Sequence, residues 1–208
     1  MKRTALIACV AVLLASCMGD VPRPPNETAP AAFRVAMDTS RGPIVIDVTR
    51  SNGPIGADRL FNMVKAGYLD GARFFRVVPG FVVQFGLSGK PELTKAWDNP
   101  IKDDPVVASN SNTRGTVVFA MTSDPNSRTT QLFINLGDNR NLDKAGFVPV
   151  GRVVEGMENV DRIFSGYGEN PDQDLISAQG NAYLEKSFPS LDYIKTARLE
   201  PLGGAPSH

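Results

Sequence analysis

Histidine and cysteine are nearly missing from this chain of 208 residues. His208 is the only histidine, and the two cysteines, Cys9 and Cys17, both lie close to the N-terminus. Zinc sites use thiolate and imidazole ligands, and acid–base catalysis most often uses histidine, so the body of the chain lacks the side chains for either. A disulfide within the body of the chain is excluded for the same reason. We therefore expect a function that needs neither a metal site nor a cofactor.

An excess of charge of either sign is also missing. Lys and Arg together number 22, Asp and Glu together number 22, and the formal net charge is +0. Proteins that bind nucleic acid usually carry a basic surface, so this balance argues against nucleic acid as a partner. Hydrophobic residues make up 42% of the chain, which is enough for the core of one globular domain.

A hydrophobic run long enough to span a bilayer is missing as well. Lys2 and Arg3 precede the apolar run Ala5–Ala15, which is shorter than the about 20 residues that a membrane-spanning helix needs but suits a signal peptide. The run ends at Leu14-Ala15-Ser16-Cys17, which resembles the lipobox of bacterial lipoproteins. The resemblance implies cleavage before Cys17 and lipidation of that residue. The alternative is an ordinary signal peptide with an incidental cysteine.

These features divide the chain into four parts. Residues 1–16 are the expected signal peptide, and residues 17–32 are a lipidated, proline-rich tether with few large apolar side chains to bury. Residues 33–200 are the expected domain, and residues 201–208 are a flexible tail. Met18 follows Cys17, which by resemblance to enteric lipoproteins favours the outer membrane. We expect an exported lipoprotein on the periplasmic side, held at the membrane through Cys17.

The domain has the pattern of a mainly β protein. Two segments, Ile55–Lys65 and Met157–Phe164, have apolar residues at helical spacing. Elsewhere short stretches of alternating apolar and polar residues, separated by glycine and proline, predict strands: they lie around Ile44, Ile46 and Val48 and at Ala72–Val78, Phe81–Phe85, Thr116–Met121, Gln131–Asn135, Val148–Val154 and Tyr193–Leu199. Many short strands with two brief helices predict a closed β-barrel with helices at its ends.

Three aspartates between the strands could suggest a cation site. Asp98, Asp103 and Asp104 lie beside Pro100 and Pro105. Proline and aspartate together are typical of surface turns, so we expect a solvated loop. The sequence therefore predicts no metal site.

Two segments carry the residues of chemical interest. In Phe74–Gly86, Arg76 lies between strand-forming hydrophobic residues, which is costly unless its guanidinium group reaches water or has a use. Phe81 and Gln84 follow it after a Pro-Gly turn. In Asp124–Asn135, a polar loop leads into a strand on which Gln131 and Phe133 share a face.

Both segments resemble the signature of the cyclophilin family. Phe74–Gly86 is similar to its F-H-R-V-I-P-G-F-M-x-Q-G-G run, and Asp124–Asn135 to its N-x-x-x-S-Q-F-F-I run. Leu142-Asp143, with Gly151–Met157, is similar to its L-D … G-x-V-x-x-G-M run. The resemblance covers about Phe33 to Leu199 and is typical of a divergent bacterial branch. It implies an eight-stranded antiparallel barrel, closed and capped by two short helices, and peptidyl-prolyl cis-trans isomerase activity.

The resemblance also implies the site residues. Arg76 takes the position of the catalytic arginine, Phe81 the floor of the proline pocket, and Gln84 the glutamine that binds a substrate carbonyl. Thr122 falls where the backbone normally binds the substrate. The full set of expected substrate-binding residues is Phe81, Val82, Gln84, Thr122, Gln131, Phe133, Leu142 and Phe147.

The chain departs from the family pattern at three positions near this site. Phe75 replaces a frequent histidine, and Phe147 lies near the position of a frequent pocket histidine. Asn141 stands where many members have the tryptophan that contacts cyclosporin, so we expect weak cyclosporin binding. An apolar pocket survives these changes.

Two functions follow from the resemblance. The first is a prolyl isomerase that acts on proline-containing peptides and on unfolded or exported proteins, assisting their folding, as a monomer. The alternative is a non-catalytic proline-peptide binding module or holdase chaperone. Retention of Arg76 and Gln84 favours the isomerase, because binding alone does not need the arginine.

Overall fold

The computed structural model describes residues 24–202. The predicted signal peptide, Cys17 and residues 203–208 of the predicted tail lie outside this range. Within it, the strands are β1 Ala32–Thr39, β2 Gly42–Thr49, β3 Arg76–Val78, β4 Val82–Phe85, β5 Thr116–Phe119, β6 Leu132–Asn135, β7 Pro149–Glu155 and β8 Ile194–Glu200. The α-helices are α1 Pro54–Lys65, α2 Pro91–Trp97, α3 Met157–Asp161, α4 Gln173–Gln179 and α5 Asn181–Ser187. None of these helices has the length and apolar character needed to cross a membrane.

The strands form one antiparallel sheet of eight strands in the order β3-β4-β6-β5-β7-β2-β1-β8. The predicted closed barrel is wrong, because the edge strands β3 and β8 do not pair with each other. A single bridge between Arg73 and Tyr193 lies across the seam. The backbone amide of Val77 on β3 instead donates to the carbonyl of Gly168, 3.1 Å away. The loop before α4 therefore occupies the edge of β3 that closure would require.

Alternation along the strands fills the core, as the sequence predicts. Phe33, Val35 and Met37 on β1 are buried, as are the predicted apolar residues of β2, and α1 adds Leu60 and Met63 to the same cluster. The two predicted helices are present as α1 and α3, but α2, α4 and α5 were not predicted. Each of these three helices has seven residues, which is about two turns and too short for a clear helical period.

Helices α4 and α5 pack over a second, smaller cluster outside the main core. Its buried members include Phe75, Ile176, Leu184 and Leu191, and Tyr167, Tyr183 and Phe188 pack around it. Phe75, where the family often has histidine, is thus an apolar anchor for these helices and is only 1% exposed. We call this set the Phe75 cluster.

The end of the predicted tether is attached to the domain. The amide of Glu27 donates to Asn62 Oδ1 (3.0 Å), and Asn62 Nδ2 donates to the carbonyl of Glu27 (2.8 Å). The amide of Ala29, which is buried, donates to Asp58 Oδ1 (2.9 Å). Residues 27–29 are therefore attached to the domain, because their backbone groups form hydrogen bonds with side chains of α1.

The predicted solvated loop of aspartates contains a buried ion pair. The carboxylate of Asp104 is fully buried and accepts hydrogen bonds from the amides of Ile55 (2.7 Å) and Gly56 (2.9 Å) at the start of α1. Arg128, which is 3% exposed, donates to the same carboxylate at 2.9 Å. Asp104 therefore ties the loop before β6 to α1, and the expectation of a solvated carboxylate was wrong for this residue.

A second carboxylate holds the 3-10 helix Arg140–Ala145 in place. Asp143 accepts hydrogen bonds from the hydroxyl of Ser111 and from the backbone and side-chain nitrogens of Asn112. Partial burial raises the pKa of Asp143, but these hydrogen bonds lower it by more, so its pKa lies below the ordinary value of 3.8. The ionised form is therefore the one that the fold prefers.

Asp104→Ala should destabilise the protein by about 3 kcal/mol, because it leaves the buried Arg128 with only the partly exposed Asp103 as carboxylate partner and leaves the amides of Ile55 and Gly56 without their acceptor. The exposed pair between Asp38 and Lys195 is the matched control, since such pairs contribute about 1 kcal/mol or less. Chemical denaturation of both variants measures the two costs. Equal losses for Asp104→Ala and Asp38→Ala would contradict the structural role of Asp104.

The stability contributed by Asp143 should depend on pH in the acid range. A carboxyl group with a lowered pKa in the folded state contributes its full stability above its unfolded value and loses it as the pH falls through the folded value. Asp143→Asn should therefore cost stability at pH 7, and the difference from wild type should shrink below about pH 4. Denaturation curves between neutral and acid pH measure this, and a difference that stays constant would refute it.

Candidate active site

One row of paired residues across four strands supplies the centre of the site. Arg76 on β3 pairs with Gln84 on β4, Gln84 pairs with Phe133 on β6, and Phe133 pairs with Val118 on β5. Residues paired across a sheet point to the same face, so these side chains lie side by side. The strand register thus places a cation, an amide and an apolar surface next to one another.

A cavity of about 240 Å³ opens beside this row. Its most buried apolar side chains are Val82 (2% exposed) and Phe133 (5% exposed). Seven of the predicted site residues come together here. The lining consists of Arg76, Phe81, Val82, Gln84, Ala120, Met121, Phe133, Leu142 and Phe147.

The aromatic residues of the cavity are held in defined positions. The rings of Phe133 and Phe147 meet edge to face with centroids 5.7 Å apart. The carbonyl of Phe81 accepts hydrogen bonds from the amide of Leu136 (2.8 Å) and from Asn139 Nδ2 (2.9 Å). The ring of Phe81 lies 5.9 Å from Arg76 Cζ, within the range of a cation–π contact.

The opposite rim depends on a buried asparagine. Asn112 Nδ2 donates to the carbonyl of Phe147 (2.7 Å) and to Asp143 Oδ1 (2.7 Å). Leu142 lies beside Asp143 in the same 3-10 helix. Asn112, which is fully buried, therefore sets the positions of both Leu142 and Phe147.

The polar groups of the site form a chain of hydrogen bonds. Arg76 Nη1 donates to Gln84 Oε1 (3.2 Å), and Gln84 Nε2 donates to Gln131 Oε1 (2.7 Å). On its other side, Arg76 Nε donates to Glu169 Oε1 (2.6 Å). The arginine side chain is 24% exposed, so its guanidinium group is oriented by the protein and still accessible.

Thr122 and Gln131 lie outside the apolar cavity. They line an adjoining groove that shares Arg76 and Gln84 with the cavity. The amide of Thr122 donates to Ser127 Oγ (3.0 Å), so a local hydrogen bond engages this backbone group. The structure thus places these two residues in the groove next to the cavity and not in the cavity itself.

Three residues of the site were not predicted. Ala120 and Met121 line the cavity, and their place at the end of the predicted strand Thr116–Met121 was the signal that could have identified them. Glu169 contacts Arg76 from a position 93 residues further along the chain. No pattern in the sequence connects these two residues.

The arrangement suits binding combined with electrostatic stabilisation. The apolar cavity can hold a small ring, and the arginine at its edge can donate hydrogen bonds to an atom next to that ring. In residues 24–202, no group of three or more His, Cys, Asp or Glu side chains is placed to hold a metal ion.

Comparisons with known proteins identify relatives with this fold. The family model for cyclophilin-type peptidyl-prolyl cis-trans isomerases matches residues 34–179. Peptidyl-prolyl cis-trans isomerase A of Dickeya dadantii is 34% identical over 176 residues, which cover 82% of this chain and 88% of that protein. A peptidyl-prolyl cis-trans isomerase of Acinetobacter baylyi is 40% identical over 135 residues, covering 62% and 70% of the two chains.

Solved structures show the same fold at lower sequence identity. A cyclophilin-type isomerase of Cryptosporidium parvum superposes with a TM-score of 0.61 at 18% identity, over 84% of this chain and 99% of that one. A cyclophilin of Hirschia baltica gives a TM-score of 0.61 at 17% identity, over 86% and 78% of the two chains. With most of the domain covered by the family model and by relatives above 30% identity, this chain belongs to the cyclophilin-type peptidyl-prolyl cis-trans isomerases.

Proposed function

We propose that the cavity beside Arg76 binds the proline ring of a substrate and that Arg76 lowers the barrier to rotation about the preceding bond. The observation that carries this proposal is the oriented guanidinium group at the edge of the cavity, bonded to Gln84 and 5.9 Å from the ring of Phe81. Rotation is slow because the nitrogen shares its lone pair with the carbonyl, which gives a barrier of ~18–20 kcal/mol.

The arginine acts on the twisted state of the bond. In that state the proline nitrogen regains a lone pair, which can accept a hydrogen bond that the planar amide cannot. Arginine suits this role because it stays charged and holds its donors in a rigid fork. Such a charge-assisted bond contributes about 1.5–3 kcal/mol.

Binding supplies the rest of the stabilisation. A ~10⁵-fold acceleration would need about 7 kcal/mol, more than one hydrogen bond provides. Phe81, Phe133 and Phe147 offer apolar surface on which a proline ring can be seated. Gln84 can bind a substrate carbonyl next to the arginine. The apolar cavity then holds the proline ring at one end of the rotating bond, and Gln84 holds a carbonyl at the other end.

We propose that the substrates of this isomerase are exported proteins that fold near a membrane. The N-terminal charges, the short apolar run and the lipobox-like sequence ending at Cys17 support an exported lipoprotein with its domain on the periplasmic side. The outer membrane is the proposed site of the anchor, and a monomer is the proposed state. The clients would be unfolded chains that present proline, whose folding the enzyme would assist by removing slow isomerisation steps.

Arg76→Ala should lower kcat/KM on a proline-containing tetrapeptide by about 10-fold to 100-fold, since it removes the charged donor. Arg76→Lys should be intermediate, because lysine keeps the charge but lacks the fork. Arg198→Ala is the matched control: Arg198 is another strand arginine with a carboxylate partner, Asp70, and lies on the opposite edge strand with its side chain 57% exposed. Its rate should equal that of wild type.

The same variants separate catalysis from simple binding. A binding module or holdase would bind a proline peptide without accelerating its isomerisation, and Arg76→Ala would leave its turnover unchanged. Peptide affinity measured by fluorescence should change less than kcat/KM in the Arg76 variants. Equal rates for wild type and Arg76→Ala would refute the catalytic role of this arginine.

Cys17→Ser should release the protein from the membrane fraction of a bacterial host, because several buried acyl chains would no longer hold it. Cys9→Ser is the control, since Cys9 lies in the segment expected to be removed, and it should leave the protein in the membrane fraction. Fractionation followed by immunoblotting measures both. Unchanged fractionation of the Cys17 variant would contradict lipidation.

A further inference from the structure

Glu169 contacts the guanidinium group of Arg76 on the edge opposite Gln84. Its Oε1 accepts a hydrogen bond from Nε of the guanidinium group (2.6 Å) and forms an ion pair with Nη2 at 2.5 Å, and Gln84 Oε1 accepts a hydrogen bond from Nη1 (3.2 Å). Arginine has five N–H donors in a fixed plane, and these hydrogen bonds use two of them. The other three, one on Nη1 and two on Nη2, make no hydrogen bond within residues 24–202 and can meet a substrate.

The loop that carries Glu169 is fixed directly to the catalytic strand. The amide of Val77, the neighbour of Arg76, donates to the carbonyl of Gly168, the neighbour of Glu169 (3.1 Å). The amide of Gly168 donates in turn to Ser165 (3.0 Å). Gly168 has φ of +55°, a conformation that glycine adopts without strain. The backbone thus places the carboxylate next to Arg76.

The Phe75 cluster keeps this loop in place. Tyr167 packs edge to face on Phe164 and on Phe188, with centroid distances of 5.1 Å in both pairs. Phe188 also meets Tyr183 at 5.7 Å. Glu169 therefore reaches Arg76 from a packed segment and does not depend on an isolated surface side chain.

The ion pair itself contributes little to stability. The Glu169 side chain is 62% exposed, and exposed pairs contribute about 1 kcal/mol or less because water screens them. Its effect lies in the orientation of the guanidinium group. A side chain as long as arginine has many rotamers, and contacts at both edges of the fork reduce them to one orientation.

We propose that Glu169 is a positioning residue that holds the guanidinium group of Arg76 in its catalytic orientation through the hydrogen bond that it accepts from Nε. This inference rests on the catalytic role proposed for Arg76. A carboxylate also offsets part of the positive charge of the arginine, which would weaken catalysis. The two effects predict opposite changes when Glu169 is removed, so kinetics distinguishes them.

The experiment measures kcat and KM of the purified protein on a proline-containing tetrapeptide. Glu169→Ala should lower kcat/KM by about fivefold or more, mainly through kcat, because the lost contact acts on the twisted state. Glu169→Gln should stay within about twofold of wild type, since its amide oxygen can accept the same hydrogen bond from Nε. If Glu169 acted only through its negative charge, Glu169→Gln and Glu169→Ala would have the same kinetics.

Glu185→Ala is the matched control. Glu185 lies in the same segment, is 61% exposed and pairs with Arg73 at 3.0 Å, away from the cavity. This variant should have the kinetics of wild type, and the thermal midpoints of the Glu169 and Glu185 variants should agree. In the background of Arg76→Ala, removal of Glu169 should cause no further loss, because it acts through the arginine.

Several outcomes would overturn the inference. They are a Glu169→Ala variant as fast as wild type or faster, a Glu169→Gln variant as slow as Glu169→Ala, and an additive loss in the double variant. Failure of the proposed function gives a different result, in which Arg76→Ala alone retains full activity. The two failures are therefore separable in one set of assays.

Discussion

The pairing of Arg76 with Gln84 and of Gln84 with Phe133 is the constraint on which the site depends. Because the strands fix this register, a charged donor and an apolar surface lie a few ångströms apart without any mobile element between them. A shift of β3 by one residue would turn the arginine to the other face of the sheet. The loops and helices packed around the sheet help to keep the strands in this register.

That support comes largely from buried polar groups. Asp104 and Arg128 join the loop before β6 to α1, and Asn112 and Asp143 hold the rim that carries Leu142. Each of these groups is satisfied by several hydrogen bonds, so each is costly to remove but specific in what it fixes. The loops around the cavity are therefore positioned by electrostatics, whereas the base of the cavity is positioned by packing.

The sequence predicted the strands and the cavity well, because both follow from short, local patterns. Alternation located β2 and β7, and the three family-like motifs together named most of the cavity lining. Prediction from the sequence failed for features that depend on contacts between distant segments of the chain. The contact of Glu169 with Arg76, the open seam beside β3 and the burial of Asp104 all depend on segments distant in the chain. Helices of two turns were missed because their pattern is too short to read.

With the lipid anchor proposed at Cys17, the attachment of Glu27 and Ala29 to α1 would limit how far the domain can lie from a membrane. Ten residue steps separate Cys17 from Glu27, whose amide is hydrogen-bonded to Asn62, so the fully extended reach between the two residues is at most roughly 35 Å. An enzyme held so close to the membrane would act on chains as they emerge at the bilayer surface. It would not reach substrates in the interior of the compartment.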